Sequence, residues 1–397
     1  MWLVDRLSGS QNVKWAERML LAGCLSLCAS AVIVGSLLVS HEQQYVRLAE
    51  SFLIGKFYFT SIPEHLHDTA AFGQRYYWPL GPLPAVLLMP FVSFFRLIGA
   101  DFYQSYASLP LALTSGWLCF RIAQKCRRSK KESAWLTLAF CGSSSYLSIA
   151  VISMSWPFAQ VVAVFLIFLA IDEWLTRRRW WLLGFLLGLT AAARISAGLN
   201  VALFAGAASF CEKKERAKIL ASLASGFTIP IFFLAAYNFV RFGSIVETGY
   251  SYQLPSPGDF STISLTNIIP HLRIFLFGPP AALDKFPFFG ANTYGMSVLL
   301  LSPWLLLLGS LRMDRFNYLA LANCTAVLLM VLAWRSTGQL QVGYRFSLDF
   351  LPIIIFLLAR SGFNAKKVSW GFKLLTILGF ILTLYFLQSF IALLPQG

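Results

Sequence analysis

The sequence predicts an all-α polytopic membrane protein, and two observations carry that prediction. Hydrophobic residues fill 57% of the 397 positions against 12% charged, and mean hydropathy is +0.67. Apolar runs of about 20 residues recur along the chain, the length an α-helix needs to cross the hydrocarbon core. A soluble core has no use for so many uninterrupted runs.

The first run, 19–40, follows a charged head (Arg6, Lys14, Arg18) and lacks a small-residue cleavage site. It reads as an uncleaved anchor. Ten more runs read as spans: 103–124, 133–152, 156–172, 180–194, 197–211, 217–240, 295–311, 316–334, 347–360 and 371–394. A twelfth segment, 80–98, decides the map. If it crossed, the cluster KCRRSKK (125–131) would face outward, against the bias that keeps basic residues cytoplasmic. Prolines 82, 84 and 90 suit a short helix on the interface better than a spanning one. The expectation is therefore about 11 spans forming one transmembrane domain, N-terminus inside and C-terminus outside, with 80–98 interfacial. On that map two outer loops are long, 41–102 and 241–294.

The formal charge of +15 would suit a nucleic-acid binder, but most basic residues fall in short connections between spans. Topology explains them, and no nucleic-acid partner is expected. The seven cysteines fall within spans or at their cytoplasmic ends and read as small apolar residues. GFLLG at 184–188 reads as a small-residue helix contact. Within the loops, 42–56 reads as an amphipathic helix with Tyr45, Leu48, Ala49, Phe52 and Leu53 on one stripe and Gly55 at its end. The segment 263–277 reads as a second interfacial helix, broken by Pro270.

Chemistry concentrates behind the first span, in HEQQYVRLAESFLIGKFYFTSIPEHLHDTAAFGQRYYW. Glu42 and Asp68 are the candidate general bases, although Glu42 also suits a helix N-terminus and Asp68 a turn before Thr69. Arg345, Arg194, Arg75 and Arg241 are candidate phosphate binders, because the guanidinium fork matches phosphate oxygens. Each also suits snorkelling to headgroups. Asp349 lies four residues after Arg345, the spacing of a helical ion pair. His65, His67 and Asp68 form a weak metal pattern, so a divalent cation stays a minor alternative and no metal ligand is assigned.

These segments resemble the membrane-embedded C-type glycosyltransferases, which include protein O-mannosyltransferases, lipid A aminoarabinose transferases and bacterial relatives. The similarity runs from HEQQYVRLAESFLIGKFYF through HDTAAFGQRYYWPLGPLPAVLLMPFV, with weaker pieces at YNFVRFGSIVETGYSY, LLLSPWLLL and VGYRFSLDFLP. The family pattern often opens Asp-Glu-x-x-Tyr, and here those positions read His41, Glu42 and Tyr45. The usual base aspartate is thus a histidine, leaving Glu42 or Asp68 to serve.

The resemblance implies an inverting enzyme that moves a sugar from a polyprenyl-phosphate donor to a hydroxyl of a glycan, lipid or protein. It implies transfer on the outer side of a membrane, the cytoplasmic membrane of a bacterium, among membrane lipids. His41, Tyr45, Tyr76, Tyr77, Trp78, Tyr250 and Tyr344 are then the expected substrate contacts. On the span map the chain is expected to end in membrane with no soluble outer domain, so acceptor choice would fall to the two loops. A transporter or binding protein for lipid-linked sugars, and a ligase using a diphosphate-linked glycan, are the alternatives.

Overall fold

The computed structural model describes residues 11–38, 42–61, 68–152, 154–254, 262–362 and 368–393. Most of them are helical. In chain order the helices are α1 (Gln11–Leu37), α2 (Gln44–Leu53), α3 (Leu83–Leu97), α4 (Gln104–Lys125), α5 (Lys130–Cys141), α6 (Ser145–Val151), α7 (Ser155–Thr176), α8 (Trp180–Ala193), α9 (Ile195–Gly198), α10 (Val201–Ala207), α11 (Lys213–Phe242), α12 (Ile268–Phe277), α13 (Val298–Leu301), α14 (Arg315–Leu332), α15 (Leu351–Ser361) and α16 (Trp370–Ile391). Two small antiparallel hairpins join them, β1 (Ala70–Phe72) with β2 (Arg75–Tyr77) and β3 (Ala281–Ala282) with β4 (Phe289–Gly290).

Among the described residues five helices (α1, α7, α11, α14 and α16) are long and apolar enough to cross a membrane, or six if the bent pair α5–α6 counts as one. These are the helices of an integral membrane protein. The segment expected as one span over 133–152 breaks instead, with α5 and α6 inclined by 68°. Ser144 starts the second piece by accepting a hydrogen bond from the Tyr146 N–H, a new N-cap inside the apolar run. The run 197–211 is likewise divided, into α10 and a short 3₁₀ turn after α9. The run 295–311 is short α13 followed by 3₁₀ helix Pro303–Ser310. Proline at 303 has no N–H to continue α13, so the chain restarts with a tighter turn.

Two loop expectations also change. Pro270 does not break α12; it lies in the helix's first turn, where the N–H it lacks would have no intrahelical partner. Helix α2 buries Tyr45, Leu48 and Ala49 as its stripe requires and meets Gly55 at φ +70 just past its end, but Leu53 is exposed. Helix α3 occupies the expected segment with 15 residues and Pro90 inside.

Helix α7 is the hub of the fold. It is buried on almost every face and packs against α4, α6, α8 and α15. Helices α8 and α11 cross at closest approach: a Cβ added at Gly184 would lie 1.9 Å from the Leu223 carbonyl oxygen, and one at Gly226 2.0 Å from that of Trp181. The GFLLG reading therefore holds, with Gly226 as its counterpart across the crossing. Near the far end of α7, Glu17 gathers α1, α5 and α16 by meeting Lys131 at 3.1 Å, Lys373 at 2.7 Å and the Trp135 indole at 3.0 Å.

Candidate functional site

The site forms where the chain leaves helical geometry near several helix ends. Three buried polar side chains fix the first wall. Ser155, opening α7, places its hydroxyl within 2.6 Å of Gln44 Oε1 and 3.1 Å of the Glu42 carbonyl oxygen. Gln104, opening α4, donates to the same carbonyl at 2.7 Å. Glu42 is thus anchored through its backbone to the starts of two helices.

The second wall is the β1–β2 hairpin zipped to the segment after Tyr252. Leu254 N–H donates to the Thr69 carbonyl at 2.8 Å, and Ala70 bridges Gln253. Asp68 sits at the edge of this zip with φ +64, a left-handed conformation that aspartate tolerates better than most residues. Its Oδ1 accepts from Gln253 Nε2 at 2.7 Å. Gln253 Oε1 accepts in turn from Arg335 Nη2 at 2.7 Å, and Arg335 Nη1 reaches the Tyr250 carbonyl at 3.2 Å.

The third wall is the 3₁₀ helix Arg345–Asp349. Gln160, in the second turn of α7, donates to the Arg345 carbonyl at 2.9 Å, and Gln341 Oε1 receives the Arg345 N–H at 3.0 Å. The backbone is held from both sides while the side chain is not. Arg345 is 4% exposed, and its Nε and Nη1 meet no hydrogen-bond partner among the described residues. Burial and the neighbouring Arg194 push it down to about 10, so it stays charged at neutral pH. Gly338 makes room for it: at φ +89, an added Cβ would lie 3.1 Å from Arg345 Nη2.

These walls border a partly open cavity of about 310 Å³, lined by Glu42, Asp68, Gln253, Arg335 and Arg345 among others. A second, more apolar and partly open cavity of about 80 Å³ adjoins it, lined by Leu80, Ile195, Leu234, Met330 and Val331 with Arg194 and Arg241. Trp156, Tyr250, Trp334 and Phe346 line both and form the collar between them. Tyr250 lies 4.8 Å from Trp334 and 6.3 Å from Trp156, centroid to centroid. Burial raises the Tyr250 phenol above its ordinary value, so it remains neutral.

The structure sorts the expected residues. Glu42, Asp68 and Arg345 share one cavity and Tyr250 lines both. Arg194 lines the apolar cavity, but Asp349 neutralises it through Nε–Oδ1 at 2.8 Å and Nη2–Oδ2 at 2.9 Å. The expected Arg345–Asp349 pair does not form. In a 3₁₀ helix residues three apart eclipse, so the i+4 side chain is rotated away, and Asp349 faces Arg194 instead. Arg241 is spent on the Trp78 carbonyl at 2.8 Å and Asn238 at 2.7 Å. Arg75 lies exposed on the hairpin, 4.4 Å over the Tyr58 ring, and lines neither cavity.

Tyr45, Tyr76, Tyr77, Trp78 and Tyr344 also line neither. Their rings serve packing: Tyr45 against Trp78 and Phe158, Tyr77 against Phe242, Tyr344 against Phe275. His41, His65 and His67 lie outside the described residues. Among the described residues no three His, Cys, Asp or Glu converge as a metal-binding group.

Sequence reasoning missed Trp156, Gln253 and Arg335. The polar, glycine-bearing stretch RSTGQLQVG (335–343) was the available signal for the last of these. Comparison of the chain with family models, curated proteins and solved structures finds no match.

Proposed function

We propose that the chain is an inverting glycosyltransferase with about 11 membrane crossings that moves a sugar from a polyprenyl phosphate to a hydroxyl acceptor at the outer face. The observation that carries this reading is the shared cavity: Glu42 and Asp68 line the same space as the buried Arg345, whose Nε and Nη1 meet no partner among the described residues. A more apolar cavity shares the aromatic collar with it. An amphiphile with a polar head, one phosphate and a hydrocarbon tail matches that sequence of surfaces.

In this mechanism a cavity carboxylate takes the proton of the acceptor hydroxyl as its oxygen attacks the anomeric carbon. The bond from that carbon to the phosphate oxygen breaks, and its electron pair leaves with polyprenyl phosphate. Arg345 stabilises the departing anion with charge-assisted hydrogen bonds. Displacement from the opposite side inverts the carbon. The collar aromatics offer faces for the sugar ring and limit water at the reacting centre. A diphosphate donor would bring further negative charge beside Glu42 and Asp68, which favours the monophosphate.

Mass spectrometry of polyprenyl-phosphate sugars in cells carrying wild-type protein or the Glu42→Gln/Asp68→Asn variant, at equal expression, tests the proposal. Accumulation of one lipid-linked sugar in the variant is expected. Unchanged pools would overturn the transferase reading and favour transport or binding.

A further inference from the structure

We infer that Gln253 is the positioning residue that keeps Asp68 available as the base, by standing between Asp68 and Arg335. The inference rests on the transferase reading and decides between its two carboxylates. Gln253 is 5% exposed and both ends of its amide are engaged, with Asp68 at 2.7 Å and Arg335 at 2.7 Å. Its orientation is unambiguous. Arginine only donates, so Oε1 must face Arg335 and Nε2 must face Asp68. Backbone pairing of Gln253 with Ala70 and of Leu254 with Thr69 holds the amide in register with Asp68.

Asp349, a fully buried aspartate beside an arginine, shows what this spacer prevents. Asp349 meets Arg194 directly, with both oxygens occupied by the guanidinium and Ser196 adding a bond at 2.5 Å to one of them. A carboxylate so consumed is a poor proton acceptor. Asp68 instead gives Oδ1 to a neutral amide, while Arg335 is held off by the same amide and by the Tyr250 carbonyl. Oδ2 of Asp68 is left to receive the acceptor's proton. Without the amide, only the Tyr250 carbonyl would hold Arg335 back from Asp68 across the cavity that both line.

The test compares wild-type protein, Gln253→Met and Gln253→Asn as full-length chains in nanodiscs. Each is given the polyprenyl-phosphate sugars extracted from its own cells with an envelope extract as acceptor. Release of polyprenyl phosphate is measured per folded molecule, alongside thermal stabilisation by added polyprenyl phosphate. Gln253→Met should lose roughly tenfold to hundredfold in turnover, the scale of a misplaced reacting group, while stabilisation by polyprenyl phosphate is retained. Adding Arg335→Met to Gln253→Met should restore part of the turnover by removing the competing cation; Gln253→Asn, too short to bridge, should resemble Gln253→Met. Full turnover in Gln253→Met, or no recovery in the double variant, would overturn the inference. No release by wild-type protein would instead overturn the transferase reading beneath it.

Discussion

Arg194 and Asp349, 155 positions apart, form a two-point ion pair at 2.8 and 2.9 Å with side chains only 9% and 1% exposed. The pair joins the break between α8 and α9 to the 3₁₀ helix that carries Arg345. Asn200 extends it by donating to the Asp349 carbonyl at 2.7 Å, and Asn323 reaches Asn200 at 2.8 Å. It is the joint that sets where Arg345 lies. Phe346 fills the space between the two guanidiniums, 5.3 Å from Arg194 and 5.1 Å from Arg345.

Breaking one side of that joint should be worse than removing it. Asp349→Asn leaves Arg194 charged, buried and unneutralised, a change that costs about 3–5 kcal/mol in comparable buried pairs. The double substitution Arg194→Met/Asp349→Leu should lose less. Unfolding of the purified variants in matched detergent checks the order.

The α8–α11 crossing should be intolerant of a single methyl. Gly226→Ala places its Cβ against the Trp181 carbonyl, with backbone rather than a flexible side chain in the way. A cost of at least about 1–3 kcal/mol is expected from forced separation of the helices. Gly309→Ala, where an added Cβ meets nothing within 4 Å, should be silent in the same unfolding measurement.

Two of the four candidate phosphate-binding arginines, Arg345 and Arg75, should separate by ligand binding. Arg345→Met removes the unmet donors and should weaken binding of polyprenyl phosphate roughly tenfold to hundredfold, since hydrogen bonds to charged groups contribute about 1.5–3 kcal/mol each. Arg75→Ala, altering an exposed hairpin side chain, should leave the affinity unchanged. Titration of each variant in nanodiscs gives the comparison.

What could be read in the sequence was whatever depends on local pattern. The stripe of α2, the Gly55 stop and the small-residue contact at Gly184 are all short-range signals. Breaks inside apolar runs were not legible, because the Ser144 cap and the Pro303 restart sit in segments whose hydropathy alone looks continuous. Pairing was the harder matter. Asp349 was matched to Arg345 by helical spacing, and only the 3₁₀ geometry and the distant Arg194 reveal its partner. The tyrosines of the first loop were expected as substrate contacts from the family resemblance, yet Tyr45 and Tyr77 are held by aromatic neighbours from elsewhere in the chain. Trp156 was hidden as the first residue of an apolar run, and Gln253 carries no charge to draw the eye.

The most direct test of the central claim is release of polyprenyl phosphate by the purified protein in nanodiscs, supplied with polyprenyl-phosphate sugars from its own cells and an envelope extract. Wild-type protein should release it in step with labelling of an acceptor, and both Arg345→Met and Glu42→Gln/Asp68→Asn should not. Equal release by the variants, or none by the wild type, would contradict glycosyl transfer from this cavity.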